Sequence, residues 1–453
     1  MKKSLFAIAA VTAFAGAAQA QSSVTVYGIL DVGYIGSNVR SANNAASTTA
    51  GLNQVNAVTK TNTSAFGDSA QSTSRLGFRG REDLGGGLAA FFTLETQITP
   101  NAVNAVATAA TANRQTFVGL EKKGVGSFAI GTQYTTIFNA AAATDPGQFN
   151  NMMGNVINDK PAGATLSAVR NSAVSSGSTG LGAISQAAAT QQFAGNQNNT
   201  AFTVRSNNML SVRTAPIAGL VGNAFYAVNS SDANATAVAA GGYTGGTSAN
   251  SAWGLGADYR WQKLLVTANF QNFTNKNPYT IASGAYTVGA PTQNGYGGVS
   301  TAGVNSNDNQ QYYAAMYDFG IVKGYLQFVD RKTMDVNNGA NYIRRTAQQI
   351  GVRGNWTPKI ESWASTGNGK LTSSTGAAAG AQAVSTYVVG QSAGSQSANF
   401  AGFQLGTNYI LSKRTNLYAI YGQQSTSNAV WATNAAPTSY NDNNYAVGVR
   451  HTF

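Results

Sequence analysis

Three arginines in one short segment share the same parity. Arg75, Arg79 and Arg81 alternate with positions that carry Leu76 and Phe78. In an extended strand, residues two positions apart lie on one face, roughly 6.8 Å from each other, so the three guanidinium groups would form a row. A guanidinium group stays ionised and binds carboxylate or phosphate oxygens through a rigid fork of donors. The segment therefore predicts a surface that attracts anions.

The rest of the composition disfavours covalent catalysis and metal binding. The chain has no Cys and a single His, His451, which excludes thiol nucleophiles, thiolate metal sites and imidazole clusters. His451 lies two residues from the C-terminus. The neighbouring carboxylates of Glu82 and Asp83 would point to opposite faces of a strand. We therefore expect no enzyme activity, no metal site and no cofactor.

Charge and hydropathy narrow the class of protein further. Lys and Arg outnumber Asp and Glu by 28 to 16, giving a formal charge of +12, yet charged residues make up only 10% of the 453 residues. A typical soluble protein has roughly 25%, so an ordinary cytosolic enzyme is disfavoured. The mean hydropathy of −0.14 also disfavours a helical membrane protein, which needs apolar runs of about 20 residues.

The N-terminus has the three parts of a secretory signal peptide. Lys2 and Lys3 form a basic start, an apolar stretch covers 5–18, and a cleavage motif of small residues ends at Ala20. We therefore predict a signal peptide over 1–20 and a mature domain over 21–453.

Apolar and polar residues alternate along many segments, which is the periodicity of β-strands. From Trp253 to Trp261 one face is apolar or aromatic, while the other carries Gly, Asp258 and Arg260. Each apolar face begins or ends with an aromatic residue. An outward apolar band between aromatic girdles, wrapped around a polar lumen, has this appearance.

Short and long connections alternate along the chain. Tight turns occur near 85–87, 124–126, 216–219, 262–263, 319–320, 358–359 and 413–414. Long polar stretches lie near 37–71, 98–112, 135–202, 230–250, 274–307, 332–343, 368–398 and 423–440. Seven turns and eight loops join sixteen strands. We predict an all-β fold, a transmembrane antiparallel β-barrel of 16 strands with short periplasmic turns and long extracellular loops.

Parity also separates lumen-facing charges from lipid-facing apolar residues. Arg75, Arg79 and Arg81 have the parity opposite to Leu76 and Phe78, and facing lipid at the membrane midplane would cost each of them about 2–4 kcal/mol. For Arg79, Arg81 and Glu95 the alternative is that the charges are only solvated or paired and have no role as a filter. The same criterion predicts further lumen charges at Glu95, Arg213, Asp258 and Arg260.

Several motifs resemble those of Gram-negative general diffusion porins of the betaproteobacterial type. They are SVTVYG at 23–28, SRLGFRG at 74–80, EDLGGGL at 82–88, NRQTFVGL at 113–120 and VGVRHTF at 447–453. The resemblance implies a homotrimer in the Gram-negative outer membrane, with a water-filled pore in each subunit. It also implies that the third long loop, near 135–202, folds inward and narrows the pore.

The resemblance further implies which residues narrow the pore. It implies that Arg114 and Arg205 join Arg75 on the basic wall of the pore constriction. It also implies that Asp145 and Asp159 of the third loop form the acidic side opposite. Parity independently directs Arg205 inward. For Asp145 the alternative is an ordinary Asp-Pro turn.

The C-terminal residues resemble the signal that the barrel assembly machinery reads, which comprises Tyr445, Val447, Val449 and Phe453. We predict a passive diffusion channel for small hydrophilic solutes and ions, with a preference for small anionic solutes. Its expected surroundings are outer-membrane lipid and lipopolysaccharide, and no nucleic-acid partner is expected. A secreted or surface β-rich adhesin is the alternative from another class.

Overall fold

The computed structural model describes residues 23–43, 57–102, 113–158, 201–238, 242–276, 306–336, 342–375, 394–429 and 438–453. The predicted signal peptide at 1–20, Asp159 and the remainder of the third loop to residue 200 lie outside these described residues.

The described residues contain seventeen strand segments and the helix α1 (Thr136–Thr144). The segments are β1 (Ser23–Asn43), β2 (Ala57–Asp68), β3 (Arg75–Gly85), β4 (Leu88–Gln97), β5 (Asn113–Lys122), β6 (Gly126–Tyr134), β7 (Arg205–Thr214), β8 (Leu220–Val238), β9 (Gly242–Trp261), β10 (Leu264–Lys276), β11 (Ser306–Asp318), β12 (Val322–Asp335), β13 (Tyr342–Thr357), β14 (Ile360–Thr375), β15 (Gly394–Ile410), β16 (Thr415–Ala429) and β17 (Thr438–Thr452).

The segments form one closed antiparallel sheet. β1 pairs with β17 along one edge. Along its other edge β1 pairs with β2 through residues 32–43 and with β3 through residues 23–29. β2 and β3 are therefore two halves of one barrel strand, interrupted at 69–74, and the prediction of a barrel with sixteen strands is confirmed. Closure leaves no unpaired sheet edge, which is the condition for a sheet to cross hydrocarbon.

Connections at one end of the barrel are short. β3 and β4 meet at Gly85, Gly86 and Gly87, whose φ angles are 84°, 58° and 77°. Glycine adopts such angles without the steric penalty of a Cβ atom. The connections at 123–125, 262–263 and 358–359 are equally brief.

Two of the predicted long loops are mostly strand. β1 continues to Asn43 and β2 begins at Ala57, inside the predicted loop 37–71. β8 reaches Val238 and β9 begins at Gly242, inside the predicted loop 230–250. A strand that extends beyond hydrocarbon can carry polar residues on both faces, because water solvates either side. Apolar and polar residues then do not alternate, so the sequence pattern does not predict this part of the strand.

The barrel reverses the burial pattern of a soluble protein. Leu255 and Ile350 point outward and are 57% and 56% exposed, whereas the inward amides of Gln310 and Gln404 are fully buried. The third loop fills part of the lumen. Ile137 of α1 belongs to a buried cluster with inward-facing barrel residues. No helix in the described residues is long and apolar enough to cross a membrane.

Because the chain has no native Cys, single cysteine substitutions can map its topology. We expect a cysteine placed within 277–305 to react with a membrane-impermeant maleimide on intact cells. Gly86→Cys, in a short turn, should react only after the outer membrane is breached. Labelling of position 86 on intact cells would contradict this orientation.

Candidate functional site

One carboxylate on the inner wall contacts two of the predicted pore arginines. Glu95 lies on β4 and its side chain is 4% exposed. The Nε atom of Arg114 donates to Oε1 of Glu95 at 2.7 Å, and Nη1 of Arg75 lies 3.6 Å from the same oxygen. The hydroxyl of Tyr27 donates to Oε2 of Glu95 at 3.1 Å. Glu95 thereby holds Arg75 and Arg114 side by side.

Tyr134, at the end of β6, joins the third arginine to the first two. Nη2 of Arg114 donates to the hydroxyl of Tyr134 at 2.7 Å. The guanidinium of Arg205 lies over the Tyr134 ring, with its Cζ atom 5.8 Å from the ring centroid. Arg205 also donates from Nη1 to the carbonyl oxygen of Asn113 at 2.8 Å. We call Arg75, Glu95, Arg114, Tyr134 and Arg205 the arginine cluster.

A β-bulge turns Arg114 toward the lumen. Arg114 shares its parity with the outward residues Thr116 and Val118, so a regular strand would direct it to lipid. The pairing of β4 with β5 instead shifts between Glu95 and Thr96, and Arg114 becomes the extra residue. A bulge bends the strand and redirects the side chain. The buried position of Arg114 beside Glu95 follows from this irregularity.

The arginine cluster carries a net positive charge, because it contains three guanidinium groups and one carboxylate. At about 4 Å, two unit charges interact by roughly 4 kcal/mol at an effective dielectric constant of 20, against about 1 kcal/mol in bulk water. The arrangement can attract and transiently hold an anion.

The predicted lumen charges nearer the short turns have partners of their own. The guanidinium of Arg79 lies over the Tyr27 ring, 5.3 Å from its centroid. Arg81 forms an ion pair with Glu121 in which both side chains are substantially exposed. This second pair is screened by solvent and is expected to contribute little energy.

A polar network holds Arg213 and Asp258, two of the other predicted charges at this end of the barrel. Nη1 of Arg213 donates to Asn223 at 2.9 Å, and Asn223 donates to Asp258 at 3.0 Å. Thr267 donates to the second oxygen of Asp258 at 2.6 Å. Arg213 and Asp258 are thereby linked through the amide of Asn223. Arg260 is exposed.

A family model of Gram-negative porins matches residues 7–429 of the chain. The chain belongs to the Gram-negative porin family. This porin is 38% identical over 161 residues to an outer membrane porin protein of Bordetella pertussis, a match that covers 34% of this porin and 40% of the relative. It is 50% identical over 98 residues to outer membrane porin protein 32 of Delftia acidovorans, covering 22% and 23% of the two chains. The matches therefore span less than half the length of either relative.

Solved structures share the fold of this porin. It covers 100% of an anion-selective porin from Comamonas acidovorans, which covers 96% of this chain with a TM-score of 0.57 and 19% identity. OmpT of Vibrio cholerae covers 95% of this chain with a TM-score of 0.52 and 14% identity. At these identities the similarity concerns the barrel alone. Family membership places this porin in the outer membrane, and its relatives are channel proteins rather than enzymes.

The acidic residue predicted on the third loop has other partners. Asp145 follows α1 and is 3% exposed. Its Oδ1 atom accepts from Asn155 at 2.6 Å, and its Oδ2 atom accepts from the backbone N–H of Phe149 at 2.8 Å. Burial raises the pKa of Asp145 above its usual value. In the described residues, the carboxylate paired with Arg75 and Arg114 is that of Glu95, whereas Asp145 bonds to residues of its own loop.

Inward side chains of β13 fasten the third loop to the wall of this porin. Nη1 of Arg353 donates to the carbonyl oxygen of Pro146 at 2.7 Å, and Nη2 of Arg345 donates to that of Val156 at 2.6 Å. Gln349 accepts from the backbone N–H of Val156 at 3.0 Å. These three residues were not among those predicted from the sequence to line the pore. Residues 345, 349 and 353 lie on the same face of the strand, and this alternation could have indicated that they face the lumen.

The loop backbone also approaches the wall at two glycines. A Cβ atom on Gly422 would lie 1.8 Å from the carbonyl oxygen of Met153, and one on Gly402 would lie 2.7 Å from that of Gly154. Gln404 donates to the Met153 carbonyl oxygen at 3.0 Å. Only residues without a Cβ atom permit this approach at 402 and 422.

The interruption between β2 and β3 is held by a buried carboxylate. Asp31 accepts from the backbone N–H groups of Gln71 at 2.8 Å and Ser72 at 2.5 Å, and from the hydroxyl of Tyr418 at 2.6 Å. Asn151 of the third loop donates to the carbonyl oxygen of Ser69 at 2.7 Å. Segment 69–74 therefore holds the third loop close to Arg75, the first residue of β3.

The C-terminal residue completes the barrel seam. The backbone N–H of Phe453 donates to the carbonyl oxygen of Gly28 at 3.2 Å, and the N–H of Gly28 donates back at 3.1 Å. The structure leaves four residues of the proposed assembly signal exposed on the outer face, namely Tyr445, Val447, Val449 and Phe453.

Proposed function

We propose that this porin is a passive diffusion channel for small hydrophilic solutes and ions and that it prefers anions. The observation that carries the proposal is the arginine cluster, in which Arg75 and Arg114 contact the carboxylate of Glu95 and Arg205 lies over the ring of Tyr134. The porin from Comamonas acidovorans, which shares this fold, is described as anion-selective. Membership of the porin family favours a channel over the β-rich adhesin that the sequence left open.

Selectivity in this proposal comes from fixed charge, not from chemistry on the solute. An anion that reaches the cluster gains attraction from guanidinium groups that stay ionised across the physiological pH range. Tyr134 and Glu95 keep these groups in position. Each solute moves down its own electrochemical gradient, so we expect the channel to need no cofactor.

Reversal potentials in a KCl gradient test the proposal on the unmodified porin in planar bilayers. We expect chloride to permeate better than potassium at low salt. The preference should weaken as the ionic strength rises, because the Debye length falls from about 10 Å at 0.1 M to about 3 Å at 1 M. A preference for potassium at low salt would overturn the assignment.

Targeting and assembly complete the proposal. We infer removal of the signal peptide near Ala20, insertion by the barrel assembly machinery and assembly as a homotrimer surrounded by lipopolysaccharide. A structure of OmpT from Vibrio cholerae is described as a trimer form, and it shares this fold with a TM-score of 0.50.

Deletion of Phe453 should lower the amount of folded porin in the outer membrane. The deletion removes both backbone hydrogen bonds to Gly28 at the barrel seam and the last outward aromatic residue. The measurement is the heat-modifiable fraction on gels of isolated outer membranes. Phe453→Tyr, which keeps both the backbone bonds and an aromatic ring, is the control and should assemble normally. Equal folded amounts with and without residue 453 would argue against a role in assembly.

A further inference from the structure

Aromatic rings of the third loop form a continuous series inside the lumen, next to the arginine cluster. Tyr134 stacks on Phe138, with their ring centroids 4.2 Å apart. Phe149 meets Phe138 edge to face at 5.4 Å and lies 6.1 Å from Phe202. Phe202 is fully buried, whereas the other three rings are only partly buried. We call Tyr134, Phe138 and Phe149 the aromatic row.

Phe138 lies on the face of α1 that is turned away from the barrel wall. The opposite face of the helix, with Ile137 and Ala141, is buried together with the inward side chain of Tyr312. Each residue advances by about 100° around a helix, so residues 138, 139 and 142 share the other face, and all three keep exposed surface. Because α1 lies inside the barrel, this surface faces the aqueous lumen.

A strained turn places Phe149 against Phe138. Gln148 and Phe149 both have a φ angle of 55°, which lies in the left-handed region that residues other than glycine rarely adopt. The Asp145 carboxylate accepts from the backbone N–H of Phe149 at 2.8 Å, and the Asp145 carbonyl oxygen accepts from that of Gln148 at 3.1 Å. Asp145 thus holds the turn in place. Backbone strain of this kind is concentrated at sites that bind ligands.

The aromatic row and the arginine cluster meet at Tyr134. The hydroxyl of Tyr134 accepts from Arg114 at 2.7 Å, while its ring stacks on Phe138. Tyr134 therefore has the arrangement that a ring bearing an oxygen anion would adopt here, with the oxygen toward a guanidinium group and the ring against another ring. Arg75 is the most exposed of the three arginines, since its side chain is 21% exposed and that of Arg114 is 8% exposed. A solute in the lumen can therefore reach Arg75.

We propose that this porin binds aromatic carboxylates of the benzoate class in its lumen and prefers them to aliphatic carboxylates. The proposal rests on the anion preference proposed above and names the class of solute. The carboxylate of the solute meets Arg75, and its ring lies against the exposed surfaces of Phe138 and Phe149. A guanidinium group binds both oxygens of a carboxylate, and a pair of aromatic rings gains more than the burial of its area provides. Chloride can use the arginines alone.

Block of the chloride current by added carboxylates tests the site on the unmodified porin in planar bilayers. Benzoate and cyclohexanecarboxylate have the same charge and the same number of carbon atoms, but only benzoate is aromatic. We expect benzoate to halve the current at a concentration roughly two- to tenfold lower, which is the factor that an aromatic pair contributes beyond buried area.

The ratio of chloride to potassium permeability is measured on the same channels. Equal block by the two carboxylates in a channel that prefers chloride would overturn the aromatic site and leave the proposed function standing. A channel that prefers potassium would overturn both.

A pair of variants tests whether the aromatic row provides the preference. Phe138→Leu with Phe149→Leu removes two rings and keeps apolar side chains, so benzoate and cyclohexanecarboxylate should block this variant at equal concentrations. Phe225→Leu with Phe273→Leu is the matched control, since these two rings lie 6.2 Å apart on the inner wall but are buried beyond the reach of a solute. The control should keep the preference for benzoate.

Both variants are first checked for the heat-modifiable folded form, and the comparison of the two carboxylates on the unmodified porin requires neither variant. A preference for benzoate that persists after the loss of Phe138 and Phe149 would overturn the proposal.

Discussion

Replacing Arg114 with glutamine should lower the ratio of chloride to potassium permeability roughly three- to tenfold. A unit charge about 4 Å from an ion contributes up to roughly 4 kcal/mol at an effective dielectric constant of 20. About 1.4 kcal/mol of this interaction already corresponds to a factor of ten. Arg114 is the arginine hydrogen-bonded to Glu95, at 2.7 Å. Its loss leaves two guanidinium groups against one carboxylate. The measurement is the single-channel reversal potential in a KCl gradient at low salt.

Arg81→Gln is the matched control for Arg114→Gln. It removes the same charge from a pair with Glu121 whose two side chains are 54% and 40% exposed. Solvent and salt screen this pair, so the reversal potential should move little. The difference between the two variants should close at high salt. A reversal potential for Arg114→Gln equal to that of the parent would show that the arginine cluster does not set the selectivity.

Replacing Gly422 with valine should raise the single-channel conductance. The first added carbon would stand 1.8 Å from the carbonyl oxygen of Met153, so either the third loop or the wall must move. Extra methyl groups in a packed site typically cost about 1–3 kcal/mol. Backbone hydrogen bonds to β15 and β17 hold Gly422 in the barrel wall. The third loop is held at this point by side-chain hydrogen bonds, such as that from Gln404 to the carbonyl oxygen of Met153. The loop should therefore detach from the wall, and we expect detachment to widen the aqueous path.

Gly222→Val is the control for Gly422→Val. A Cβ atom at residue 222 would meet only the side chain of Thr214, at 3.4 Å. This variant should keep the parent conductance and the parent rate of sugar uptake in liposome swelling. If Gly422→Val forms a folded barrel with unchanged conductance and swelling rate, the contact at Gly422 does not control the width of the channel.

The strands of the barrel could be predicted from the sequence wherever they cross hydrocarbon. Lipid on one side and water on the other force apolar and polar residues to alternate, so Leu264–Lys276 and the C-terminal strand were visible. The extensions of β1, β8 and β9 were not visible, because both of their faces can be polar. The break at 69–74 was also hidden, since Asp31 and Tyr418 hold it from distant strands.

The candidate site was predictable only in part. Parity placed Arg75 and Glu95 on the inner face, but it could not pair them, because their contact depends on the register of β3 with β4. Arg114 has the parity of a lipid-facing residue, and only the bulge beside Glu95 turns it inward. The family resemblance, and not the alternation, had suggested that Arg114 faces the pore.

The sequence by itself determined the class of protein, the number of barrel strands, the short turns and the side of the wall on which most charges lie. These properties follow from local rules, because each residue in a barrel strand meets either lipid or lumen. The tertiary structure decided that Glu95 binds the arginines, while Asp145 is buried among partners of its own loop and of β13. Such pairings join residues far apart in the chain. They depend on strand register, on one bulge and on the path of the third loop, and no local pattern encodes these features.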